Sequence, residues 1–157
     1  MSVRFIPIPS EDVIGWQDAG VDSYGFPEKQ KISDSDGFPC RHCQENIGKG
    51  DSYLVLAQRP FSGLHAYAET GPIFVHAAKC RRADSGYTLP AISNSASYIP
   101  RGYDNGETIV YGTGGVVDRV QIIDRAESIL EYPAVAFIHA RSAQNNRFHC
   151  RIEGAGT

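Results

Sequence analysis

Two residues separate Cys40 from Cys43 in FPCRHC, and three separate His76 from Cys80 in FVHAAKC. Two close pairs across a long gap is the spacing with which a chain surrounds one Zn²⁺ with four protein ligands. Thiolate and imidazole suit this borderline-soft ion, which asks only for four donors near tetrahedral angles. A tight turn lets the sulfurs of Cys40 and Cys43 point at one centre. On a helix, His76 and Cys80 at i and i+4 would share one face. Four protein donors leave no open position, so the spacing predicts a structural zinc rather than a catalytic one. The alternative is that Cys43 and Cys80 are small core hydrophobes and His76 a satisfied histidine. His42, between the first two cysteines, is expected to point away. A redox dithiol sits where a strand enters a helix, whereas Pro39 before this pair and Ile47-Gly48-Lys49-Gly50 after it are turn chemistry.

The chain has 157 residues, 41% hydrophobic and 21% charged, as expected of a single globular domain spanning 1–157. A net charge of −3 argues against a general nucleic-acid binder, which carries a basic face. No apolar run approaches the roughly 20 residues that span a bilayer. The opening MSVRFIPIPSED lacks the apolar segment of a secretory signal. The expected location is the cytoplasm, where cysteines serve as thiols or ligands rather than disulfides.

The elements that must position the pairs follow from periodicity. Residues 3–8 are extended, and Ser10-Glu11-Asp12 opens a short helix carrying Val13, Ile14 and Trp16. Residues 22–37 read as a long ordered loop and 53–57 as a strand. Residues 65–75 return as a second extended segment, and His76 opens a short helix. Residues 83–106 read as a loop and 107–111 as a strand. Asp118 and Gln121 have the form of a capping box before a helix over 118–130, with Val120, Ile123, Ala126 and Leu130 on its stripe. A hairpin of 134–141 and 147–153 closes the chain. On it Phe148, Cys150 and Ile152 share one face and Arg147, His149 and Arg151 the other, so Cys150 packs and does not ligate. The resulting fold class is α+β, a mainly antiparallel sheet with one long amphipathic helix. Knuckle, hairpin and helix-borne ligands over about 38–82 resemble a treble-clef zinc module, except that such modules usually have two residues inside the second pair.

FPCRHC, RPF, AYAETGPIFVHAAKC, PRGYD and FIHARSA together resemble the proteobacterial family known as domain of unknown function 1203. The resemblance runs from about residue 20 to the end and implies a stand-alone bacterial domain with no assigned activity. Within it, Glu69 lies beside Tyr67 and just before Gly71-Pro72, while His139 and Arg141 share a strand face with Phe137. Arg59 could join them as an anion clamp, because a guanidinium fork binds carboxylates bidentately. Arg59, Tyr67, Glu69, His139 and Arg141 are therefore the candidate pocket, with Glu69 and Arg141 expected to pair. Gly112-x-Gly114-Gly115 lacks the residues of a phosphate loop and reads as a turn. Two functions from different classes remain: a zinc-stabilised domain that binds a partner protein or small ligand, and a small enzyme using Glu69, His139 and Arg141.

Overall fold

The computed structural model describes residues 2–18, 20–27, 29–90 and 95–155. In chain order these form β1 (Val3–Ile6), α1 (Ser10–Gln17), β2 (Lys29–Ile32), β3 (Phe38–Pro39), β4 (Asn46–Ile47), β5 (Ser52–Gln58) and β6 (Gly71–His76). Then come β7 (Ser97–Tyr103), β8 (Val117–Asp118), a 3-10 turn (Arg119–Gln121), α2 (Ile122–Leu130), β9 (Phe137–Ser142) and β10 (Phe148–Gly154). The fold is α+β, with every strand pairing antiparallel. The chain divides into two units: one of Met1–Ile6, Leu64–Tyr67 and Ser85–Thr157, the other of Pro7–Gly63 and Ala68–Asp84. Among the described residues, no helix is long and apolar enough to cross a membrane.

The first unit is built on a sheet of order β1-β10-β9-β7-β8. Ile122, Ala126 and Ile129 recur at helical spacing and bury against Val3, Phe5, Tyr98, Ile138, Ala140, Cys150 and Ile152. The helix itself is shorter than the periodicity predicts. Asp118 ends β8 and makes no side-chain cap bond, and Val120 stands 88% exposed on the 3-10 turn. Cys150 is 1% exposed in this core, in keeping with the sequence reading.

β7 lies inside a stretch that reads as loop, and the backbone explains why. Gly102 donates its amide to Thr113 Oγ1 (2.9 Å) and accepts from the Val110 amide (2.9 Å), so its polar groups point away from β9. Pro100, two residues earlier, points the same way. Its missing N–H therefore falls outside the β7–β9 ladder, where a strand tolerates proline. The strand predicted at 107–111 is absent apart from one bridge between Ile109 and Tyr103. The Asp104 carboxylate accepts the amides of Gly106 and Thr108, both at 2.9 Å, and turns the chain there.

The last hairpin carries a bulge between Phe148 and Cys150: Phe148 pairs with Arg141 and Cys150 with Ala140. One extra residue reverses the side-chain alternation beyond it. Phe148 therefore joins His139 on the face away from α2, with ring centroids 4.9 Å apart, and not Cys150 and Ile152 as period two predicts. His149 also departs from period two, its ring lying 5.3 Å from Tyr98 of the helix-side core.

The second unit holds a three-stranded sheet of order β2-β5-β6 and the small β3–β4 hairpin. The 53–57 strand thus belongs to a different sheet from the final hairpin. β2 arises within the predicted loop, with all four of its residues exposed. β6 begins only at Gly71 and runs through His76, so no helix opens there.

Gly102 of β7 lies tightly beneath Ile129 of α2 and Val135. A Cβ there would lie 2.8 Å from Val135 Cγ2 and 3.0 Å from Ile129 Cγ2, both stiff β-branched side chains. Gly102→Ala should therefore cost about 1–3 kcal/mol through overpacking. Urea unfolding of the purified variant measures this; an unchanged midpoint would show that the helix can shift without penalty.

Candidate metal centre

Cys40 to Cys43 form the turn of the β3–β4 hairpin. The Cys40 amide donates to Glu45 O (3.0 Å) and the Gln44 amide to Cys40 O (2.9 Å). Gln44 closes the turn at φ 58°, a left-handed conformation that ordinarily favours glycine or asparagine. This knuckle docks on β6. The Arg41 amide donates to Phe74 O (3.0 Å), and the His76 amide points at Cys40 Sγ (3.4 Å). Phe38, Tyr53 and Phe74 pack beneath it, with centroids 4.6–5.6 Å apart.

The second pair is not on a helix. His76 ends β6, and Cys80 follows in an irregular segment, so the treble-clef likeness stops at the hairpin. α1 supplies the fixation instead. Gln17 Nε2 donates to the carbonyls of His76 and Ala78, both at 2.9 Å. Arg82 Nη2 and Nε bond Pro7 O (2.7 Å) and Ile8 O (3.1 Å), just before α1.

Held this way, the ligand atoms of Cys40, Cys43, His76 and Cys80 all lie within 4.8 Å of one another. Cys40 Sγ is 3.9 Å from Cys80 Sγ, and Cys43 Sγ is 3.4 Å from His76 Nδ1. A tetrahedron with Zn–S near 2.3 Å and Zn–N near 2.0 Å has S···S edges of about 3.8 Å and S···N edges of about 3.5 Å. The donor set and its spacing fit the ion. Cys40 is fully buried, while Cys43, His76 and Cys80 are half-buried beside Lys79, Arg81 and Arg82 in an open cavity of about 550 Å³.

The electrostatics are those of crowded thiols. A hydrogen bond from Cys43, helped against burial by the amides of Cys43, His76 and His42, holds Cys40 down at about 4. Cys43 is pushed up because its thiol serves Cys40 and is itself buried. Burial and then the Cys40 charge raise Cys80 to about 11. One thiolate forms readily and opposes the next, an arrangement that a divalent cation reverses.

His42, expected to point away, is buried against this cluster. Its Nδ1 lies 3.0 Å from Cys80 Sγ and its Nε2 2.8 Å from Ser10 Oγ. A histidine at the centre of C-x-x-C carries no periodic signal of its direction, which the hairpin turn sets.

The other candidate residues are divided between the units. Arg59 and Glu69 belong to the second; Tyr67, His139 and Arg141 belong to the first. Tyr67 bonds the hydroxyl of Tyr111 (3.1 Å), and Arg141 bonds Asn146 through its side-chain and backbone oxygens (3.3 and 3.0 Å). His139 is buried among Tyr103, Phe137 and Phe148.

No curated protein and no solved structure matches the chain significantly. The profile of the family described as "Protein of unknown function (DUF1203)" matches residues 37–154, a span that takes in the four clustered ligands and every strand from β3 to β10. The chain belongs to that family.

Proposed function

We propose that this chain is a zinc-stabilised binding domain: Cys40, Cys43, His76 and Cys80 hold one structural Zn²⁺ in a module at about 38–82 of a single domain. The observation that carries the reading is the approach of four soft donors to tetrahedral spacing. Bound there, the ion supplies a cross-link between two distant parts of the chain. Four protein donors complete its coordination, which favours support of a binding surface over chemistry at the metal. The partner is a protein or a small ligand, and the open cavity beside the cluster offers it a rim of mixed charge, Lys79, Arg81 and Arg82 with Glu45 and Asp84. The reading suits the cytoplasm, where reducing conditions keep the thiols available.

The alternative, an enzyme with a cleft around Glu69, His139 and Arg141 in which Glu69 is the candidate general base, gains no second proton acceptor from His139. Burial, followed by the charges of Arg151, Arg141 and Arg101, pushes it down to about 3. A general base works best near the operating pH. A ring held neutral to so low a pH, and packed among aromatics, is a poor proton acceptor.

Two outcomes follow. Elemental analysis of freshly purified, reduced protein should find one zinc per chain, and Cys43→Ser should lose metal and stability together. Structural zinc contributes roughly 10–16 kcal/mol in small peptides, so even if the three remaining ligands still hold the ion weakly, the loss of one quarter is about 3 kcal/mol. In a chain of this size that lowers Tm by roughly 6–12 °C. A metal-free variant with an unchanged Tm would show the site to be incidental.

The second concerns pH. The unfolded chain protonates His139 below about pH 6.5, whereas the folded chain refuses that proton until about 3. This contribution is complete above pH 6.5 and is lost as pH falls through that window, by up to about 1.4 kcal/mol per pH unit. Unfolding free energies of the parent should therefore fall more steeply than those of His139→Gln below pH 6.5 and run parallel above it. Parallel curves throughout would mean that His139 titrates normally when folded.

A further inference from the structure

His42 belongs to no part of the four-ligand set, yet it is 1% exposed and both its ring nitrogens are engaged. Zn²⁺ with three thiolates and a neutral imidazole carries a net charge of −1. A charge half withdrawn from water requires donors at the sulfurs that bear it. Cys40 receives the His76 amide at 3.4 Å. Cys80 faces the His42 ring at 3.0 Å. We infer that His42 is a positioning residue of the metal site: its Nδ1–H donates to the Cys80 thiolate, and the Ser10 hydroxyl, donating to Nε2, fixes the tautomer that allows this. The inference rests on the zinc reading and deepens it.

The placement of Cys80 gives the bond its purpose. A helix would fix the direction of a ligand at i+4 from His76; here the intervening segment is irregular, and other bonds must aim the sulfur. His42 does so from two sides. Its ring meets Cys80, and its carbonyl accepts the Ala83 amide at 2.9 Å. The segment between these two points is thereby tied to the knuckle that bears Cys40 and Cys43. The chain Ser10–His42–Cys80 also balances its protons: a neutral imidazole has one N–H for the sulfur and one lone pair for the hydroxyl. Partners beyond the ligands that orient them are worth about 10–100-fold in metal affinity.

The test compares the full-length parent with His42→Ala, His42→Gln and Ser10→Ala, using Zn²⁺ competition against a chelator and the thiolate-to-metal absorption of the Co²⁺ form. His42→Ala should bind zinc about 10–100-fold more weakly, and its Co²⁺ charge-transfer band should move to lower energy because an unbonded thiolate donates more readily. His42→Gln, which keeps an N–H, should recover part of both effects. Ser10→Ala should give a smaller shift in the same direction. If His42→Ala fails to fold, the Gln and Ser10 variants still supply both readouts. A loss of affinity with no band shift in any variant, or parent-like affinity throughout, would falsify the positioning role while leaving the zinc site intact. A parent that binds neither metal overturns the zinc reading itself, and this inference with it.

Discussion

The outer edge of β6 is the constraint on which the second unit depends. One edge of that strand pairs with β5 along its length; the knuckle takes the Phe74 carbonyl and the His76 amide. Those two contacts set the Cys40–Cys43 turn opposite the strand end where His76 stands. The aromatic trio of Phe38, Tyr53 and Phe74 fills the space beneath and fixes the separation. A backbone that needs its polar groups satisfied thus brings together side chains 36 residues apart. The positive φ of Gln44 is a local cost of that turn, accepted because the surrounding bonds determine it.

In the first unit the two faces of one sheet do different work. Toward α2, aliphatic side chains are joined by Phe5 and Tyr98, and the small residues Gly102 and Ala140 on the sheet and Ala126 on the helix allow close approach. On the opposite face Tyr103 stacks on Phe137, His139 packs at an angle against Phe137 and edge-on to Phe148, and the Arg151 guanidinium lies 4.0 Å from the Phe137 ring centroid. The bulge at His149 makes this division possible, because it sends Phe148 to one face and Cys150 to the other.

Much of this was legible in the sequence, and the limits are physical. The four clustered residues follow from spacing alone, since metal ligation is a rule about residue types and gaps. The strands β1, β5, β9 and β10 announce themselves by alternation. β7 does not: Pro100 and Gly102 are turn residues in the local view, and only their orientation toward the non-ladder side makes them strand residues. Alternation places Phe148 and His149 on the wrong faces, because a one-residue bulge leaves the pattern intact along the sequence while reversing it in space. The helix expected at His76 failed for another reason. The i, i+4 spacing permits a helix but does not require one, and the contacts that replace it come from α1, Gln17 among them.

That replacement has a kinetic consequence. Ligands borne on their own helix can be arranged by local structure before the rest of a chain collapses. Here Gln17 reaches across 59 residues to His76, and His42 across 38 to Cys80. Each such contact carries a loop-closure entropy before it contributes any stability, and non-local contacts of this kind slow folding. The knuckle is held by its own turn, whereas the direction of Cys80 depends on contacts from α1 and from His42. Four donors that meet only through contacts of this kind depend on tertiary structure rather than on local structure for their arrangement.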